Sequence, residues 1–447
     1  MTTAVWWIRR DMRLADNGAL ASAAAEGRVV PLFVVDPAFA SAGRPRLSFM
    51  YDTLRALDAA TGGALVLRHG DPVEVVPAFA RSVGASSVHV ASDFAPYGRS
   101  RDARVRESSA TAGVRFVESD TPYVVAPGTV RKDDGTPLKV FTPFFRRWST
   151  LPWSPVGATS VDWHDAVDLC EGFPDIAPVG AVLPAAGEVA AMARWESWSA
   201  GGLDDYKSLR DNPAIDGTSL MSAHLRFGAV HPRQLIGDLP PTAGAEHFRS
   251  EIAWREFYAD VLFHQPHTAW ENLQRKMDAI VQDTDEAARA RFAVFRSGNT
   301  GYPIVDAGIR QMLRTGWMHN RVRMIVASFL VKDLHLPWQW GARFFMRHLV
   351  DGDIASNNHG WQWTAGTGTD AAPYFRVFNP VSQGEKFDPT GEYVRTWVPE
   401  IADVDERHVH APWTLGLMAP AGYAPPMVDH AVERETALAR YKAATSQ

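Results

Sequence analysis

Four stretches near the start of the chain, AVWWIRR, VVPLFVVDP, ALVLRHGD and SSVHVASDF, are apolar at consecutive positions and not at alternate ones. That is the pattern of strands covered on both faces. NGALASAAAEG, LSFMYDTLRALDAATGG and PVEVVPAFARSVGA lie between them and read as helices, the first two closed by glycine. Strand alternating with helix predicts an α/β N-terminal domain, a doubly wound parallel sheet over about residues 1–130. No G-x-G-x-x-G follows the first strand, so the usual dinucleotide fingerprint is missing.

The texture then changes. Pro, Gly and Ala crowd TLPWSPVGA and GFPDIAPVGAVLPAAGE, which predicts a connector over residues 131–200 wrapped on the surface. Over residues 201–447 helical periodicity takes over. EIAWREFYADVLFHQ, IVDAGIRQMLRTGW and RVRMIVASFLVKDLHL carry apolar residues at i, i+3 and i+4 and predict an all-α C-terminal domain. Beyond Pro426 the chain reads as one short helix.

Composition narrows the class. A chain of 447 residues exceeds what one core usually holds, so two domains are expected. The net charge of −6 excludes a generally basic coat, though not a local basic patch. Cys170 is the one cysteine, which leaves no intrachain disulfide or multi-cysteine metal site and fits a reducing cytoplasm. The opening MTTAVWWIRRDMR has no apolar core of a secretion signal, and no apolar run is long enough to span a membrane. A cytoplasmic monomer without a metal is the expectation. Sixteen tryptophans are many, and raise the question of stacking or electron transfer.

Several motifs could carry chemistry. In SEIAWREFY, Glu251 and Trp254 are three apart and share a helix face. In TGWMHNRVRM, Asn320 and Met324 share a face with Trp317, and Arg321 and Arg323 flank it; Asn and Arg commonly meet phosphates. In DGTSLMSAHLRFG, Thr218, Ser219 and Ser222 precede an apolar run, either as simple caps or as an anion site. In DGDIASNNHGWQW, Asp351 and Asp353 stand where acids favour a helix start. Asn357 and Trp361 would share one helix face and Trp363 would point elsewhere. His359 has no partner at metal-ligand spacing and reads as structural.

As a set, these motifs together with WWIRRDMRLADNGAL, KVFTPFFRRW, TGYPIVDAGIRQML and GTGTDAAPYFRVFNP resemble the photolyase/cryptochrome family over nearly the whole chain. The resemblance is greatest to class I cyclobutane pyrimidine dimer photolyases. It implies FAD held non-covalently in the helical domain, UV-damaged DNA as partner, and light-driven repair of cyclobutane pyrimidine dimers. An electron would pass from excited reduced FAD to a flipped-out dimer and return. By match to the family motifs, Tyr206, Thr218, Ser219, Leu220, Met221 and Ser222 would hold the FAD phosphates and ribitol. Arg323 and Asp351, with Gly352, would lie beside the flavin ring, Asp353 would meet its edge, and Asn357 would face the position that takes up a proton. Trp254 and Trp363 would stack along the two pyrimidines, while Asn320 and Arg321 would contact DNA near the lesion. Glu251 would hydrogen-bond the damaged bases and Met324 would line the pocket, which with Asn357 makes the expected catalytic set.

The resemblance also makes Trp361 and Trp338 the inner and middle members of an electron-transfer chain. The outer member is missing: VQDTDEAARARFAVF holds no Trp, and Trp317, Trp340 or a Tyr are the candidates to replace it. APYGRSRD looks like the version that accompanies an 8-hydroxy-5-deazaflavin antenna and not folate, with Arg46, Asp102 and Arg226 as candidate pocket residues. Two alternatives share the family: a (6-4) photolyase, whose lesion-facing His pair has no match here, and a cryptochrome-type signalling flavoprotein. An electron-transfer-flavoprotein-like subunit would explain the N-terminal domain alone.

Overall fold

The structure is a computed structural model that describes residues 2–369 and 375–446, so part of GTGTDAAPYFRVFNP lies outside the described residues. The chain forms two compact units. One comprises Met1–Val179, Pro184–Asp204 and Ser219–Pro266, the other Gly180–Leu183, Asp205–Thr218 and His267–Gln447.

The first unit carries the predicted sheet. Strands β1 (Thr2–Ile8), β2 (Gly27–Val35), β3 (Val66–His69), β4 (Ala85–Ala91) and β5 (Arg115–Asp120) are all parallel, in the order β3-β2-β1-β4-β5. Val5 in β1 sits opposite Val30 on one side and Val88 on the other. Because β1 is covered everywhere, Ala4 to Ile8 are buried without a polar break. The pattern missed β5. As an edge strand, RFVESD buries no residue fully, so it lacks the apolar run that marks the other four. The helix Pro96–Thr111 was missed for a similar reason: it is mostly polar and turns only Gly98, Arg101, Asp102, Val105 and Ser109 inward.

The compact units follow other lines than the expected boundaries at residues 130 and 200. Residues Ser219–Pro266 belong with the sheet. Buried polar ties explain why. On the helix Ala243–His264, Glu256 accepts hydrogen bonds from the Val124 and Val125 amides and Asp260 accepts from the Gly128 amide. Arg233 meets Asp16 at 2.9 Å, and the buried Arg13 donates to the Gly228 carbonyl at 3.2 Å. Each of these groups would be costly to bury without its partner.

The second unit is helical among its described residues. Helices Pro303–Thr315, Asn320–Ser328, Trp338–His348 and Ile354–Ala365 surround a core that includes Ile304, Ile309, Met312, Val326, Phe329, Trp338 and Trp361. A π-helical turn, Phe329–Asp333, follows the second of these, and the helix His430–Thr445 packs against it. No helix among the described residues is long and apolar enough to cross a membrane.

Candidate functional site

Within the second unit, the segment from Asp351 to Trp363 is built around one cap. Asp353 Oδ1 accepts from the Ala355 and Ser356 amides at 3.0 and 3.2 Å, starting the helix Ile354–Ala365. Gly366, at φ 77°, ends it. Asp351, two residues before the cap, is buried. Its Oδ2 takes Arg323 Nη2 at 2.8 Å, while its Oδ1 is enclosed with no partner among the described residues. Arg323 is itself fixed through Nε to the Met318 carbonyl at 2.8 Å. Asn357 donates through Nδ2 to the Ala342 carbonyl at 3.2 Å and to Asn358 Oδ1 at 2.7 Å. Because the Ala342 carbonyl can only accept, the amide orientation is set, and Asn357 Oδ1 is left as an acceptor.

Trp361 lies on the same helix, 2% exposed. It meets Phe345 edge-on (4.9 Å, 70°) and leans on Gly341, where a Cβ would come within 2.1 Å of the indole. Its Nε1 is buried without a partner among the described residues. Trp338 is fully buried and donates to Asn272 Oδ1 at 2.8 Å. His359 is structural: Nδ1 meets the Ala355 carbonyl at 2.8 Å, Nε2 meets Thr268 Oγ1 at 3.0 Å, and burial pulls its pKa down to about 4.

Asn320 and Met324 both lie on the helix Asn320–Ser328, but Trp317 does not. The expected three-residue face is corrected here: Gly316, at φ 69°, ends the preceding helix, and His319 caps the next through Nδ1. Arg321 is held by Asp211, with Nη2 at 2.7 Å and Nε at 3.3 Å, and its guanidinium lies 4.5 Å over the Phe387 ring. Tyr206 is buried, with Arg210 over its ring at 5.5 Å. Trp340 is partly buried against Phe292, and Trp270 is 39% exposed. Trp363 is partly buried.

Within the first unit, Glu251 and Trp254 stand on the helix Ala243–His264. Trp254 stacks on Phe141, with centroids 3.7 Å apart and planes 9° apart. His247 Nε2 is 4.0 Å from Glu251 Oε1, one turn earlier. Ser219 to Ser222 lead into the short helix Ser222–Phe227, which has Met221 at its N-cap and no side-chain capping bond. Ser219 Oγ accepts from the Met221 amide at 3.4 Å. Leu220 holds φ 58°, a left-handed conformation that costs a side-chain-bearing residue of order 1 kcal/mol or more.

In the same unit the strand order reverses between β1 and β4, and a polar cluster lies at their carboxyl ends. Asp102 is buried there between Arg9 and Arg101. Burial would raise the Asp93 carboxyl, but Arg101, Arg10 and Arg9 outweigh it and hold the pKa below the usual carboxylate value. Gly98 fits because a Cβ would sit 2.1 Å from the Asp93 carboxylate. Arg46 lies in the first turn of the helix Arg44–Ala60, and the Arg226 carbonyl accepts from Arg10 Nε at 3.4 Å.

Sequence reasoning missed Asp211, Phe141, Glu256 and Asp260. Phe141 stood in the quoted motif KVFTPFFRRW but with no role, and Glu256 and Asp260 left a signal as acids four apart on the apolar face of EIAWREFYADVLF. Burial raises Glu256 to about 7, against the hydrogen bonds from Trp148 and two amides, and Asp260 to about 6.

Comparison with known proteins decides the family. Residues 4–159 match the model described as DNA photolyase, and residues 248–443 match the FAD binding domain of DNA photolyase. A deoxyribodipyrimidine photo-lyase of Streptomyces griseus is 40% identical, over 97% of this chain and 98% of its own. The chain belongs to the DNA photolyase family. The photolyase of this name from Escherichia coli is 35% identical over 99% of both chains. Among solved structures, a bacterial class III photolyase from Agrobacterium tumefaciens superposes with a TM-score of 0.91 at 34% identity, over 100% of this chain and 98% of that one. An archaeal photolyase from Sulfolobus tokodaii with two FAD molecules gives 0.85 at 30% identity, covering 99% of this chain and 100% of that one. The family thus supplies a flavin-binding helical domain, and the orphaned Asp351 Oδ1 and Trp361 Nε1 are the kind of atoms a bound polar ligand satisfies.

Proposed function

We propose that this photolyase repairs cyclobutane pyrimidine dimers in DNA under light. The observation that carries the reading is Asp351: one oxygen on Arg323, the other buried and waiting for a partner, at the start of a helix whose Asn357 offers an acceptor. FAD, when bound, would supply light-driven electron donation.

The chain's own residues have separate tasks. In the second unit, Arg323 and Asp351 orient the flavin ring, with Gly352 and Asp353 at its edge and Tyr206 and Thr218 toward the phosphates. Asn357 would offer Oδ1 to the flavin as an acceptor. An amide there adds no charge, whereas a carboxylate would oppose a reduced, anionic flavin. Asn320 and Arg321 take DNA phosphates, and Met324 and Trp363 line the lesion side. In the first unit, Ser219 to Ser222 serve the cofactor, Glu251 hydrogen-bonds the dimer, and Trp254 gives it a flat apolar wall. Trp361 and Trp338 pass electrons to the flavin. The carboxyl ends of β1 and β4 would take an antenna of the 8-hydroxy-5-deazaflavin type, and the enzyme works as a cytoplasmic monomer. The solved Synechocystis cryptochrome, at a TM-score of 0.88 and 27% identity, keeps a signalling role as the second reading.

The test is blue-light repair of an oligonucleotide with one cyclobutane thymine dimer, using chemically reduced protein and a dark control. Light-dependent recovery of intact thymines is expected. A flavin-loaded, reduced protein that leaves the dimer intact, yet restores a (6-4) photoproduct or neither lesion, overturns the reading.

A further inference from the structure

No role yet attaches to the motif KVFTPFFRRW, and its position in the fold supplies one. Its helix, Phe141–Trp148, packs on the helix Ala243–His264. Phe141 is 8% exposed and lies parallel to Trp254, 3.7 Å away and 9° off. Phe145 also lies near-parallel to Phe141, at 5.7 Å and 13°. Phe257 meets both Phe141 and Trp254 edge-on, at 5.9 and 5.7 Å. The motif helix is anchored at its far end, where Trp148 Nε1 donates to the buried Glu256 at 2.6 Å, two residues from Trp254.

An indole has two faces. Phe141 occupies one of them at van der Waals contact, so a base can stack only on the other. The same contact fixes the tilt of the ring: parallel on Phe141 and edge-on to Phe257, Trp254 has little room to turn about χ2 without losing both. A wall that is already flat and immobile gives up less freedom when a flat ligand arrives.

We infer that Phe141 is a positioning residue for damaged-base recognition: it backs Trp254, presents a single indole face, and extends the aromatic stack behind the bound lesion. The inference rests on the reading of Trp254 as the lesion wall. It predicts that Phe141 acts through Trp254 and on lesion-containing DNA alone.

A double-mutant cycle tests it, reading affinity for dimer-containing and undamaged oligonucleotides in the dark. Phe141→Leu, which keeps apolar bulk and loses the ring, should weaken dimer binding about 3- to 10-fold, the scale of one aromatic pair. Affinity for undamaged DNA should stay level. Phe141→Tyr should behave as the parent. In a Trp254→Ala background, Phe141→Leu should add little. Repair yield per bound dimer should be unchanged, so the effect appears in KM and not in kcat. If Phe141→Leu fails to fold, Phe141→Met serves as the second apolar variant. If Trp254→Ala weakens dimer binding while the Phe141 variants do nothing, or add in full to it, the inference falls and the wall stands. If Trp254→Ala leaves dimer binding intact, the wall is misplaced and the inference falls with it.

Discussion

Asp211 grips Arg321 along one edge of its guanidinium, Nη2 at 2.7 Å and Nε at 3.3 Å, from 110 residues away in the chain. Phe387 covers one face of the same group, and Nη1 lies 3.7 Å from Met324 Sδ. An arginine fixed along its Nε edge presents its other edge ready-made for a phosphate, with little freedom left to lose. Arg321→Ala should therefore weaken DNA binding by a similar factor with and without a dimer. The slope of log K against log salt should fall by about 1. Fluorescence anisotropy over a salt series checks this. An unchanged slope would make the Asp211 pair purely structural.

Asp351 ties the flavin reading to stability. Its side chain is 3% exposed and that of Arg323 25%. Asp351→Ala leaves the arginine without its partner, which should cost the second unit on the order of 3 kcal/mol. The purified variant should also carry far less FAD per chain than the parent, read from its visible absorbance. A variant that melts earlier but keeps a full flavin complement would place Asp351 in the fold and not at the cofactor.

Trp361 and Gly341 form one packing unit, since any Cβ at 341 would sit 2.1 Å from the indole. Trp361→Phe should stop photoreduction of oxidised FAD and leave repair by chemically reduced protein largely intact. Gly341→Ala should push the ring aside, slow photoreduction in the same way, and cost about 1–3 kcal/mol by overpacking. Loss of repair in both pre-reduced variants would mean that the indole packs the flavin and does not merely relay electrons.

His359 makes stability depend on pH in one direction. Its pKa is 6.5 unperturbed and about 4 in the fold, because burial disfavours the imidazolium. Between those values the unfolded chain binds more protons. Stability should therefore be full above 6.5 and fall as pH drops toward 4. The group can account for about 3 kcal/mol over that window. His319 and His224, also pulled down to about 4 by burial, add in the same sense. Urea unfolding at about pH 7 and about pH 5 measures the slope, and His359→Gln should flatten part of it. A slope identical in the variant would assign the acid loss to other groups.

How far these features could be read in advance depended on their range in the chain. The helix start at Asp351–Asp353 was legible, because a cap and the turn it starts are neighbours. The shared face of Asn357 and Trp361 follows from helical spacing once the helix exists. Trp317 was read onto a helix it does not join, because a run of suitable spacing does not reveal that Gly316 and His319 break it. Asp211 left no trace, and Phe141 stood in the motif KVFTPFFRRW without a role; in each case only a distant neighbour gives the residue its task.

The sequence alone determined the kinds of element and most of their order. Apolar strands between helices specify a buried parallel sheet, and the period of apolar residues specifies the helical half, because burial on a strand or a helix face obeys a local rule. Its motifs also carried the family. Tertiary structure alone decided which compact unit claims Ser219–Pro266, which carboxylate steadies Arg321, and which ring backs Trp254. Those are pairings between residues far apart in the chain. Their selection depends on how whole elements pack and on which buried polar groups find partners, and no local pattern encodes that.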